Sequence, residues 1–153
     1  GGQLARLSRP EDIRGFPDSR ASLRMPARGD VVTRYGEDTT RAGSRIAAKG
    51  IVIETRNGGR VVAPYDGKVV YAGPFKGYGR ILIIEHGARY HSLLAGLDRI
   101  EAIVGQWVLA GEPLGVMTES PAQTPELYME LRRGGRPINP LPWLAQTGNK
   151  VKG

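Results

Sequence analysis

Apolar residues along most of this chain occur in short runs, in which they alternate with polar residues and end at glycine, proline, asparagine or aspartate. A period of two over four to eight residues is typical of strands with one buried face. The pattern predicts nine strands: Asp30–Tyr35, Ile51–Thr55, Arg60–Ala63, Gly67–Ala72, Arg80–His86, Tyr90–Leu94, Gln106–Leu109, Leu114–Met117 and Glu126–Arg132.

The residues between these runs favour tight turns. Asn57-Gly58-Gly59 predicts a hairpin, since Asn and Gly adopt positive φ at low cost. Pro64-Tyr65-Asp66-Gly67 predicts a turn, and Gly87-Ala88-Arg89 is expected to join two further strands. Turns this frequent leave no room for the helices of a parallel sheet. We therefore expect an all-β, mostly antiparallel β-sandwich or open barrel of short strands and hairpins, with a short helix at Leu141–Thr147.

The two ends of the chain lack this alternation. Residues 1–25 contain Arg9-Pro10 and Gly15-Phe16-Pro17, and predict an irregular or partly helical N-terminal arm, in which residues 3–7 could end an upstream helix. The predicted organisation is an arm over residues 1–25, one domain over 26–147 and a tail over 148–153.

Composition removes several classes of protein. The 153 residues include no cysteine, which excludes disulfide scaffolds, thiolate zinc sites, iron–sulfur clusters and cysteine nucleophiles. The net charge of +7 suits an anionic partner, but the cations are scattered and no zinc-finger or RNA-binding pattern accompanies them, so we expect no nucleic-acid ligand. The two histidines, His86 and His91, are more typical of structural or solvent-facing positions than of a metal site.

An ordered set of motifs carries a resemblance to a known family. Its pieces are Gly50-Ile51-Val52-Ile53, Val62-Ala63-Pro64, Asp66-Gly67-Lys68-Val69, Ile84-Glu85-His86-Gly87, Gly111-Glu112-Pro113-Leu114-Gly115, Leu127-Tyr128-Met129-Glu130-Leu131-Arg132 and Pro137-Ile138-Asn139-Pro140. In this order they resemble the LytM (lysostaphin-like) zinc endopeptidase family over roughly residues 26–144.

The resemblance also shows what this chain has lost. Active members cut peptidoglycan cross-links with one zinc ion, using histidines and an aspartate that hold the metal and further histidines that assist the chemistry. The positions that match those residues are occupied here by Ala48, Val52, Gly96, Glu126 and Tyr128. The resemblance thus implies a degenerate domain with no zinc, no other cofactor, no catalytic residue and no peptidase activity.

A LytM domain without its ligands resembles the EnvC-type murein hydrolase activators. The resemblance implies that the former substrate groove binds a zinc-dependent N-acetylmuramoyl-L-alanine amidase and relieves its autoinhibition while peptidoglycan is split at cell division. It further implies a periplasmic location at the division septum of a bacterial cell envelope, and an upstream coiled coil that reaches the division machinery.

Six residues form the predicted contact set. An apolar floor, aromatic walls and a cationic rim suit a protein-binding groove, and Tyr and Arg are common in binding hot spots. The set is Lys49, Val52, Tyr78, Ile81, Tyr128 and Arg132. Glu130 is expected to pair with a nearby cation, and Trp143 to anchor the end of the chain on the sheet.

Other interpretations of the same residues stay open. Val52 and Ile81 also suit a core, Tyr128 suits a packed strand, and Lys49 and Arg132 suit a solvated surface. At the level of function, an inactive LytM module could bind peptidoglycan directly through its basic surface. A biotinyl or lipoyl carrier domain shares some of the turn motifs, but its Met-Lys pair is missing from this sequence.

Overall fold

A computed structural model describes residues 5–41 and 44–145, which fold into short antiparallel strands. Thirteen strands lie in these ranges: β1 (Gly29–Thr33), β2 (Asp38–Arg41), β3 (Ser44–Ala47), β4 (Ile51–Thr55), β5 (Arg60–Val62), β6 (Gly67–Phe75), β7 (Gly79–Gly87), β8 (Tyr90–Leu97), β9 (Arg99–Ile100), β10 (Trp107–Val108), β11 (Pro113–Val116), β12 (Glu126–Arg133) and β13 (Arg136–Ile138). A 3₁₀ turn at Leu141–Trp143 is the one helical element there, and no described helix is long and apolar enough to span a membrane.

The strands form one large sheet and two small ones. The large sheet has the order β1-β4-β12-β8-β7-β6-β10, and β13 pairs with β12 beside this path. The order β5-β11-β9 makes a three-stranded sheet, and β2 and β3 form a separate hairpin. Open antiparallel sheets without a closed barrel confirm the predicted all-β fold class.

All nine predicted strands are present, eight of them with shifted ends, and four further strands of the described residues were missed. The missed strands are β2, β3, β9 and β13. Described side chains of β2 and β3 are largely exposed on both faces, so this hairpin has no alternation to detect. Strand β9 has only two residues, which is too short for any pattern.

The hairpin predicted at Asn57-Gly58-Gly59 is wrong. Gly58 does turn, with φ +65°. However, β4 pairs with β1 and β12, whereas β5 pairs with β11 in the other sheet. Turn residues specify where the chain reverses, but they do not specify which strands hydrogen-bond. The turn at Gly87-Ala88-Arg89 does join paired strands, β7 and β8, as predicted.

The predicted helices at the two ends are not observed in the described residues. Only Leu141–Trp143 turns, Leu144 is extended, and Thr147 lies outside the described residues. The helix stops because Leu144 forms a parallel bridge with Leu23 of the arm. From residue 5 onward the arm is irregular, and Arg6 forms an antiparallel bridge with Trp107 instead of a helical turn. Residues 3 and 4 of the predicted helix end lie outside the described residues.

One face of the large sheet builds the core. Ile51, Ile53, Leu94, Leu127 and Met129 point to this face and are fully buried. The small sheet covers them with Val61 and Leu114, and these residues belong to one continuous cluster. Alternation along each strand then sends the intervening side chains to the opposite face of the large sheet.

The arm is fastened to the domain at several points. Arg14 forms an ion pair with the buried carboxylate of Asp66, with 2.9 Å between Nη2 and Oδ1. Phe16 stacks on Tyr90 with ring centroids 3.9 Å apart, and Trp143 packs against both rings. Trp143 therefore packs the last described turn against β8, in agreement with its predicted anchoring role. The division of the chain at residues 25 and 26 stays a prediction.

His86 lies beneath this arm and is a structural residue. Its Nδ1 lies 2.8 Å from the carbonyl oxygen of Asp66, and its Nε2 lies 2.7 Å from Ser92 Oγ. Because a carbonyl can only accept, Nδ1 donates to Asp66 and the Ser92 hydroxyl donates to Nε2. Burial lowers the pKa of His86 to about 4. His86 is therefore neutral in the folded protein at pH 7.

We expect stability to fall as the pH is lowered from about 6.5 to about 4. In this window the unfolded chain binds a proton at position 86 that the folded chain does not, which weakens folding by up to about 3 kcal/mol. Urea unfolding at half-unit pH steps measures the slope. His86→Gln should flatten this slope, whereas the control His91→Gln, at a partly exposed position, should keep the wild-type slope. Equal slopes for the wild type and His86→Gln would contradict this account.

Candidate functional site

A row of four side chains crosses the outer face of the large sheet. The strand register places Val52 opposite Tyr128, Tyr128 opposite Ala95, and Ala95 opposite Ile81. Directly opposed residues share one face of a sheet, and this face is the one turned away from the core. We call these four residues the groove row. It unites three members of the predicted contact set, Val52, Tyr128 and Ile81.

A second row lies beside the first and widens the apolar surface. Glu130 is opposite Leu93, Leu93 is opposite Ile83, and Ile83 is opposite Tyr71. Leu93, Ile83 and Tyr71 are half-buried, so part of each side chain meets solvent. We call the surface formed by the two rows the groove.

Aromatic side chains line the end of the groove at β6 and β7. Tyr78 lies in the turn between these strands, and its ring centroid is 6.3 Å from that of Tyr128. Phe75 continues the series, 5.9 Å from Tyr78 and 6.2 Å from Tyr71. The glycines on both sides of Tyr78 have positive φ, which gives this tight turn its shape.

A hydrogen-bonded triad fixes the orientation of Tyr128. The Tyr128 hydroxyl donates to Glu130 Oε2 at 2.5 Å, and Arg132 Nε donates to Glu130 Oε1 at 2.6 Å. Alternate residues of one strand share a face, which is why the three side chains meet. Glu130 is only 2% exposed, and its predicted pairing with a cation is confirmed. Burial raises the pKa of Tyr128 and the bond to Glu130 raises it further, so the phenol stays protonated.

The remaining predicted contact residues lie in different surroundings. Lys49 is exposed in the loop before β4, next to Gly50, where a Cβ atom would lie 2.2 Å from the carbonyl oxygen of Met129 and 3.1 Å from the Glu130 side chain. Arg132 is partly exposed, two residues beyond Glu130 on β12. Ile81 belongs to the groove row but is only 2% exposed, so its neighbours cover most of it. The contact set as a whole stays a prediction.

The donors at the five replaced positions do not fit a zinc ion. Ala48, Val52 and Gly96 have no side-chain donor, and Tyr128 is a protonated phenol engaged with Glu130. Only Glu126 offers a carboxylate, whereas a catalytic zinc site needs about three protein ligands. Within residues 5–41 and 44–145, no three His, Asp or Glu side chains are grouped so that they could hold a metal.

Gly96 is fixed by its backbone surroundings. Its φ is +101°, and a Cβ atom at this position would lie 2.7 Å from the carbonyl oxygen of Glu126. Any larger residue here, including histidine, would therefore need β8 to move away from β12. The replacement at position 96 is thus part of how these two strands pack.

Sequence reasoning missed several residues of the groove. These are Ala95, Leu93, Ile83, Tyr71 and Phe75. Alternation along β7 could have placed Ile83 on the same face as Ile81. The other positions depend on the pairing of β12 with β8 and on the bulge between Val69 and Tyr71, for which the sequence has no local signal.

Comparisons with known proteins agree with this fold. The model of peptidase family M23 matches residues 46–140. Murein hydrolase activator EnvC of Escherichia coli is 36% identical over 133 residues, which cover 86% of this chain and 31% of that protein. Murein hydrolase activator NlpD of Salmonella dublin is 36% identical over 127 residues, which cover 82% of this chain and 32% of that protein. This chain therefore spans about a third of the length of these curated relatives.

A solved structure extends the likeness to three dimensions. Helicobacter pylori Csd3 superposes with a TM-score of 0.69 at 20% identity, covering 86% of this chain and 37% of Csd3. At this level of identity the comparison supports the fold alone.

Proposed function

Because this chain belongs to peptidase family M23, and is similar to the EnvC and NlpD activators, we propose that it is a non-catalytic activator of a cell-wall N-acetylmuramoyl-L-alanine amidase. In this proposal the amidase binds in the groove and is released from autoinhibition while peptidoglycan is split at cell division. The chain then works in the periplasm of the bacterial envelope, at the division septum, with an upstream coiled coil as its link to the division machinery.

The groove row is the observation that carries the proposal. Two of the positions that match zinc ligands, Val52 and Tyr128, lie directly opposite each other in the groove row, on an apolar and aromatic surface. A partly exposed surface of this kind suits the apolar face of a helix from a protein partner. The proposed contacts are the predicted set: Lys49, Val52, Tyr78, Ile81, Tyr128 and Arg132.

An assay on isolated sacculi tests this function. The chain alone should release no soluble peptidoglycan, and it should accelerate release by one member of a panel of zinc-dependent amidases. A panel in which no amidase responds would contradict the proposal.

Direct binding to peptidoglycan is the competing function, and the net charge of +7 is the observation in its favour. Salt-sensitive sedimentation of the chain with bare sacculi, together with an unresponsive amidase panel, would support this alternative instead.

A further inference from the structure

Three carboxylates stand side by side at one corner of the groove. Asp30 is directly opposite Glu54, and Glu54 is directly opposite Glu126, on three neighbouring strands of the large sheet. All three side chains are exposed. Glu54 lies two residues from Val52 and Glu126 lies two residues from Tyr128, so the three residues share the face of the groove row. We call them the acidic row.

The acidic row is unfavourable for the isolated domain. Like charges placed directly opposite each other on paired strands are destabilising. None of the three carboxylates forms an ion pair with a described residue, although the chain has 22 lysines and arginines. Arg132, on the same strand as Glu126, is already paired with Glu130. The acidic row is therefore a negative patch on a positively charged chain, and no ion pair with a described residue offsets its repulsion.

The apolar groove beside the acidic row defines a partner. An apolar segment seated on Val52 and Tyr128 brings one of its flanks over the acidic row. We propose that the groove takes an amphipathic segment whose apolar side faces the groove row and whose flank over the acidic row carries lysine or arginine. This inference rests on the proposed function and specifies the chemistry of the amidase segment that binds.

The charge of the acidic row also selects against other ligands. An anionic polymer would be attracted to the chain as a whole, because its net charge is +7, but repelled at this corner of the groove. This corner of the groove thus favours cationic ligands, whereas the rest of the surface, which is basic on average, favours anionic ones.

Two fluorescent peptides test the inference. Both are 18-residue amphipathic helices with the same apolar face, and they differ only in having lysines or glutamates on the flanks. Fluorescence anisotropy should show about tenfold tighter binding of the lysine peptide at low salt, and high salt should reduce this difference. Such a preference runs against the net charge of the chain, so nonspecific attraction cannot produce it.

Neutralised variants locate the effect. Asp30→Asn, Glu54→Gln and Glu126→Gln together should remove the preference for the lysine peptide and raise the Tm by about 1–4 °C, because the repulsion is relieved. The matched control neutralises three exposed carboxylates away from the groove, with Glu11→Gln, Asp18→Asn and Glu119→Gln. It should keep the preference.

Each contrary result has a distinct meaning. Equal binding of the two peptides, tighter binding of the glutamate peptide, or no binding of either would overturn the inference. So would an unchanged preference in the neutralised variant. If the chain still accelerates an amidase on sacculi in any of these cases, only the partner chemistry is wrong and the proposed function stands.

Discussion

Val52→Glu is expected to reduce amidase acceleration by at least about tenfold while leaving the domain folded. Val52 is half-buried at one end of the groove row, opposite Tyr128, where the apolar side of a docked partner would remove a new carboxylate from water. The initial rate of release from sacculi at fixed amidase concentration measures the loss. Tyr128→Ala should cause a comparable loss by removing the aromatic ring opposite Val52.

The control is the same substitution outside the groove. Val104 is 56% exposed in the turn before β10, so Val104→Glu adds the same charge at a distant site. Its activation should match that of the wild type, and circular dichroism should show that all three variants are folded. Full activity of Val52→Glu and Tyr128→Ala would remove the groove from the proposed function.

Asp66→Ala is expected to destabilise the fold by about 3 kcal/mol, or to lower the Tm by about 6–12 °C. The Asp66 carboxylate is 2% exposed and accepts hydrogen bonds from the backbone and guanidinium of Arg14 and from the backbone of Ala110. Removing it breaks the attachment of the arm at Arg14 and leaves the Ala110 N–H without this acceptor. Arg14→Ala should cost about 1–2 kcal/mol, because its side chain is partly solvated.

The pH dependence of these variants provides an independent check. Burial raises the pKa of Asp66, but the bonds from Arg14 and Ala110 outweigh it, so the pKa lies below the ordinary value. The corresponding stability is present above the pKa of an unfolded aspartate and is lost as the pH falls through the folded pKa. The wild type should therefore lose stability below about pH 4 more steeply than Asp66→Asn. Parallel acid unfolding curves would show that this ion pair contributes little.

Alternation was sufficient to predict nine of the thirteen described strands, and the motifs were sufficient to predict the family. Ile51–Thr55 was predicted to the residue, since its apolar positions have a clear period of two. The β2–β3 hairpin was not predicted, because its described side chains are mainly exposed and show no alternation. A strand can thus be predicted from the sequence where one of its faces is buried, but not where both faces are exposed to solvent.

The geometry of the groove depends on strand order, which the chain does not encode locally. The groove row needs β4, β12, β8 and β7 to be neighbours, although β4 and β12 are far apart in sequence. The motif resemblance could therefore nominate Val52 and Tyr128 together, but not Ala95 between Tyr128 and Ile81. The acidic row is also visible only after Asp30 and Glu126 are known to flank Glu54.

The two outer strands of the large sheet are poorly suited to edge-to-edge pairing with another chain. An exposed edge strand offers unpaired N–H and C=O groups to another chain. At one edge β10 has only two residues, and the arm already bonds to it through Arg6. At the other edge the register of β1 shifts between Val31 and Thr33, and such irregularities make a strand a poor template for pairing. Association through side chains on the open face is thereby favoured over the addition of a further strand.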